Sequence, residues 1–61
     1  MNQLSKRQSD VVAHVALGES NKQIARSLGL SEGTIKRHLT LAMLKCGVVN
    51  RTQLAIKANA R

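Results

Sequence analysis

With 61 residues, ten Lys and Arg against three Asp and Glu, a formal charge of +7 and no Phe, Trp or Tyr, the chain is one small basic domain. At this length folding buries only about 60% of the surface an extended chain exposes, so its aliphatic core is thin. The missing rings exclude a platform for stacking single-stranded bases, and the single cysteine excludes an internal disulfide.

The charge attracts phosphate, which makes nucleic acid the leading partner and an anionic membrane the second. The sequence shows no secretory signal and no apolar run of about 18 residues, a pattern that fits a reducing cytoplasm and no membrane span. The length is short for a regulator with its own sensing domain, which leaves an excised domain or a small stand-alone protein.

In chain order, the segment 4–18 opens on Ser5 with Gln8 three residues later. That is a capping-box spacing, in which each side chain bonds the other residue's amide. Val11, Val12, Val15 and Ala16 then recur at helical spacing until Gly18, although the β-branched residues lower the intrinsic propensity and packing must hold this helix. Ser20 and Gln23 repeat the capping box ahead of a short helix whose inward face is Ile24, Ala25 and Leu28. Gly29, Leu30 and Ser31 form a tight turn: the glycine bends the backbone, Leu30 plugs the core and Ser31 caps the next helix. Two helices joined this way make a helix-turn-helix.

The third helix is predicted between Ser31 and Gly47, about four turns long. At 100° per residue Ile35, Leu39, Ala42, Met43 and Cys46 share one arc, and Gly33, Lys36, Arg37 and Thr40 share the opposite one. Its only acid, Glu32, stands in the first turn where the helix dipole favours it, so the outer face is an uncompensated basic surface suited to reading DNA. Past Gly47, Val48 and Val49 are expected to cover the open end of the core, and Asn50 with Gln53 starts a fourth helix from Arg51. Leu54, Ala55 and Ala58 form its inward arc, while Thr52, Ile56 and Ala60 line another side at i, i+4, i+8. The fold class is therefore all-α, four helices with a helix-turn-helix and no strand.

The residues S-N-K-Q-I-A-R-S-L-G-L-S-E-G-T-I-K-R-H-L and K-C-G-V-V-N-R-T-Q-L-A closely resemble the LuxR-type (LuxR/GerE) helix-turn-helix of bacterial transcription regulators. The likeness spans nearly the whole chain and defines a single DNA-binding domain over 4–60, expected to be the C-terminal piece of a larger bacterial regulator such as a response regulator or quorum-sensing receptor. The resemblance implies that Lys36, Arg37 and Thr40 read bases, the same face that helical geometry selects. Lys or Arg donates to guanine O6 and N7, and Thr touches a thymine methyl or polar edge; Arg37, at a variable family position, either forks onto guanine or clamps a phosphate. It places phosphate contacts at Ser20, Asn21, Lys22, Ser31 and Thr34, at the starts of helices two and three, and at Lys45 and Arg51. Lys6, Arg7, Lys57 and Arg61 are read as keeping a small protein soluble.

The resemblance also implies a homodimer through helix four on inverted half-sites, with Thr52, Ile56 and Ala60 as the contact strip. Because these residues are small, the expectation is a monomer in solution that pairs on DNA. Leu41 and Leu44 fall outside the apolar arc of helix three; they are either ordinary exposed leucines or a contact for RNA polymerase or a sensor domain. Four departures from the family pattern stand in the first half. Gln8 replaces a glutamate and Lys6 a proline at the first cap. His14 and Glu19 replace apolar residues, which predicts a weakened corner between helices one and two or a contact with another domain.

His14, His38 and Cys46 have neither CxxC nor HxxxH spacing, so no metal is expected, and no cofactor. His38 is expected as a packed or phosphate-adjacent imidazole. No acid and base pair suggests an enzyme. Two rivals to DNA binding are a protein-interaction module that holds RNA polymerase or a partner regulator, and a membrane-surface peptide. Glycine stops and capping boxes argue against the second, because they cut the apolar residues into short packed helices.

Overall fold

The computed structural model describes residues 3–60, with four helices in the order α1 (Lys6–Ala16), α2 (Asn21–Leu28), α3 (Glu32–Cys46) and α4 (Arg51–Asn59). No strand occurs among the described residues, and the all-α expectation is met. Each helix begins where a side-chain oxygen takes a first-turn amide that has no intrahelical partner. In α1, Ser5 Oγ accepts from the Gln8 amide and Gln8 Oε1 accepts from the Ser5 amide, both at 3.1 Å. Ser20 and Gln23 repeat the reciprocal pair at 3.2 and 2.8 Å. Ser31 Oγ caps α3 through the Thr34 amide at 3.1 Å. At α4, Asn50 Oδ1 takes the Gln53 amide, and Gln53 Oε1 reaches one residue further back, to the Val49 amide.

The α2–α3 turn depends on Gly29, whose φ of +69° is strained for any residue with a Cβ. There the Leu30 amide turns back to the Ala25 carbonyl at 2.9 Å, which closes α2 and swings the chain into α3. α1 is the hub: α3 and α4 pack mainly on it, and α2 packs mainly on α3. The buried cluster is Val11, Val15, Ile24, Ala25, Ile35, Leu39 and Leu54, flanked by half-buried Val12, Leu28, Leu30, Met43, Cys46, Val48 and Ala55.

Two core expectations are corrected. Val49 is 82% exposed, because consecutive side chains outside a helix point to different sides and Val48 has taken the inward position. Ala58 is exposed as well; its methyl is too short to close the gap to α1, and it lines an open groove with Val12, Ala13, Ala16 and Leu54.

Two other residues tie the fold together in ways the sequence reading did not assign. Lys57 Nζ donates to the Cys46 carbonyl at 2.7 Å, so this lysine caps the C-terminus of α3, where the dipole favours a cation, rather than only solubilising the chain. Asn59 Nδ2 donates to the Ala16 carbonyl at 3.3 Å and caps the end of α1 as a neutral donor. The two polar departures at the corner between α1 and α2 meet each other: His14 Nδ1 and Glu19 Oε1 lie 2.8 Å apart and bond. Arg61 lies outside the described residues.

Candidate nucleic-acid interface

The outer side of α3 is defined by what its inner side buries, namely Ile35, Leu39 and Ala42. At 100° per residue Arg37 points almost straight away from these three, Thr40 lies beside it, and Lys36 stands roughly a quarter turn round from them. All three are exposed, so the structure brings the expected base readers onto one accessible face. Among the described residues neither Lys36 nor Arg37 is paired with an acid; the ion pairs are Lys6 and Arg7 with Asp10 on α1, and His14 with Glu19. Thr40 Oγ1 donates to the Lys36 carbonyl at 3.0 Å, which turns its hydrogen toward its own helix and leaves the methyl and the oxygen lone pairs for a partner.

The expected phosphate contacts separate into three groups. Ser20, Ser31 and Thr34 are committed to helix starts: Ser31 Oγ donates to Thr34 Oγ1 at 2.9 Å while accepting the Thr34 amide. What they leave for an anion is the first-turn amides of α2 and α3 at the positive dipole ends. Asn21 and Lys22 open α2, Asn21 half-buried and Lys22 exposed, and Arg26, also exposed, stands one turn along the helix from Lys22. Arg26 matches no expected contact position, although its i, i+4 spacing from Lys22 puts the two on one ridge.

Lys45 and Arg51 form the third group, and both turn to the protein itself. Lys45 Nζ donates to the Gln3 carbonyl at 3.2 Å and to Gln8 Oε1 at 3.0 Å. The Arg51 guanidinium donates to Asn21 Oδ1 and to the Glu19 carbonyl. Long cationic stems lie along the surface and find amide oxygens there, which a reading by position alone does not reveal.

On α4, Thr52 and Ile56 are exposed, Ile56 by 66%. Ala60 has left the helix, with φ −74° and ψ 147°, so the expected strip is reduced to two residues. Leu44 is 72% and Leu41 37% exposed, which makes the C-terminal half of the outer face of α3 apolar. His38 is half-buried with Nδ1 enclosed and without a hydrogen-bond partner among the described residues. No group of three or more potential metal ligands occurs among the described residues, and no helix there is long and apolar enough to cross a membrane.

The family described as bacterial regulatory proteins, luxR family, matches residues 2–58. The chain belongs to the luxR family. Similar proteins include a putative HTH-type transcriptional regulator, YhjB, of Escherichia coli (strain K12), 44% identical over 97% of this chain and 30% of its own length. An uncharacterized transcriptional regulatory protein, YhcZ, of Bacillus subtilis (strain 168) is 45% identical over 92% of this chain and 26% of its own. The transcriptional activator protein LuxR of Aliivibrio fischeri is 40% identical over 93% of this chain and 23% of its own. The chain thus spans less than a third of the length of these relatives. A luxR-family helix-turn-helix is a DNA-binding domain of transcription regulators, not an enzyme.

Proposed function

We propose that the chain binds duplex DNA sequence-specifically, with α3 in the major groove and α2 crossing the backbone, to regulate bacterial transcription. The observation that carries this reading is the exposed, acid-free set of Lys36, Arg37 and Thr40 on α3 of a luxR-family domain. Lys36 and Arg37 donate to guanine edges. Arg37 points straight out from the core, which favours the base-edge role over a phosphate clamp. The first-turn amides of α2 and α3, with Lys22 and Arg26, hold the flanking phosphates. The domain acts as the output end of a larger cytoplasmic regulator, and two copies pair on inverted half-sites through Thr52 and Ile56 of α4. That strip is small enough to keep the free protein monomeric until DNA raises the local concentration.

The test is fluorescence anisotropy of a labelled inverted-repeat duplex, selected from a random pool, against wild type and Lys36→Ala at several salt concentrations. The expected result is a steep salt slope for wild type and a loss of about 1 to 3 kcal/mol for Lys36→Ala on the selected site, with little loss on a scrambled duplex. Equal binding of both proteins to every duplex would remove the base-reading role. Sedimentation showing a tight dimer without DNA would contradict a free monomer that pairs only on the operator.

A second reading draws on the exposed Leu41 and Leu44, which continue the α3 face beyond its basic half and offer an apolar contact to RNA polymerase or a partner regulator. Leu41→Ser with Leu44→Ser should then reduce transcription activation while DNA binding stays normal. Unchanged activation discards this contact.

A further inference from the structure

Arg51 stands at the first position of α4 and reaches back to the corner between α1 and α2. One guanidinium nitrogen, Nη1, donates to Asn21 Oδ1, and the other, Nη2, donates to the Glu19 carbonyl. Among the described residues the backbones of α2 and α4 do not pack on each other, so this fork links the starts of the two helices. Both Arg51 and Asn21 are half-buried.

The chemistry of the fork fixes more than distance. A guanidinium only donates, so the end of the Asn21 carboxamide that faces it must be the oxygen, and Nδ2 with its two hydrogens turns away. Asn21 is the first residue of α2, beside free amides at the positive end of the dipole. A carboxamide nitrogen held at that position is a donor for an anionic oxygen, whereas a flipped carboxamide would present its oxygen and repel the same anion.

We propose that Arg51 is a positioning residue for DNA binding: it holds the Asn21 carboxamide so that Nδ2 donates to a DNA phosphate beside the α2 amides, and Arg51 itself touches no phosphate. This rests on the DNA-binding reading above and concerns how one backbone contact is made.

Phosphate contacts carry no sequence information, so the test uses a short duplex of arbitrary sequence, titrated with wild type, Arg51→Lys, Asn21→Ala and the double variant at several salt concentrations. Lysine keeps the charge but cannot fork onto two acceptors. Arg51→Lys and Asn21→Ala are each expected to weaken binding about three- to tenfold, the double variant no further, and the salt slope to stay at the wild-type value because no cation has left a phosphate. The Asn21 side-chain amide protons should also shift in the NMR spectrum of free Arg51→Lys, a change that lowered stability alone does not produce.

Wild-type affinity in Arg51→Lys, or losses that multiply in the double variant, overturns the proposal. So does a salt slope shallower by about 0.9 in Arg51→Ala, the sign of a lost phosphate ion pair; should Arg51→Ala not fold, Arg51→Lys decides alone. A wild type that ignores duplex DNA is a different result, since it removes the DNA-binding reading itself and this proposal with it.

Discussion

Lys45 Nζ donates to Gln8 Oε1 across 3.0 Å, joining the last turn of α3 to the first turn of α1. The same oxygen accepts the Ser5 amide, so the one buried polar side chain among the described residues, Gln8 at 6% exposure, has its acceptor fully used. A helix cap has become a tertiary contact that fixes the two longest helices against each other.

Replacing Gln8 by glutamate should therefore strengthen the fold. The carboxylate would meet the Ser5 amide, the Lys45 ammonium and the positive end of α1 at once, against the desolvation of one charge. The expected gain is about 1 kcal/mol in urea unfolding, largest at low salt, whereas Gln8→Leu strands the Ser5 amide and loses about 1 to 3 kcal/mol. A Gln8→Glu protein less stable than wild type would mean that desolvation outweighs both contacts.

The His14–Glu19 bond predicts coupling between two residues that each depart from the family pattern. In a double-mutant cycle with His14→Val and Glu19→Val, unfolding free energies should show an interaction of about 0.5 to 1 kcal/mol, as for a partly exposed pair. The double variant should be at least as stable as either single one, because no polar partner is left alone at the corner. Strictly additive losses would show that the two side chains act independently.

The contrast between these residues and the core explains how far the sequence could be read. Caps at Ser5, Ser20 and Ser31, the turn at Gly29, and the inward positions Ile24, Ile35, Leu39 and Leu54 follow from local spacing, and the structure has each of them in place. The outer face of α3 was legible for the same reason, since one period places both its buried and its exposed residues. What spacing did not carry is where long polar side chains end. Lys45, Arg51, Lys57 and Asn59 reach partners 11 to 43 residues away in sequence, and His14 finds Glu19 only because the corner folds back. A lysine bound for a helix terminus and one bound for solvent look alike until the termini are placed.

Gly33 offers a stabilising change on α3. It lies in the first turn of α3 without positive φ, and an added Cβ would meet only Ser31 Oγ, at 3.9 Å. Gly33→Ala should raise stability by about 0.5 to 1 kcal/mol through a less flexible unfolded chain and better helix propensity. Thermal unfolding checks this directly; a lower midpoint would mean that the first turn needs the glycine's freedom.

The proposed base contact of Thr40 can be made by only part of its side chain. Its hydroxyl hydrogen is spent on the Lys36 carbonyl at 3.0 Å, so the outward surface consists of a methyl group and an oxygen able only to accept. Valine keeps the methyl and the β-branched shape while removing the oxygen, and serine keeps the back-bonded hydroxyl while removing the methyl. If the methyl packs against a thymine methyl on the selected duplex, Thr40→Val should bind within about twofold of wild type and Thr40→Ser should lose about 0.8 kcal/mol, the value of one buried carbon. The opposite ranking in the same anisotropy titration would assign the contact to the oxygen, accepting from an adenine or cytosine amino group. On the proposed base-reading role of Thr40, either ranking identifies the group that meets the base, because the two substitutions remove different atoms from the same position on α3.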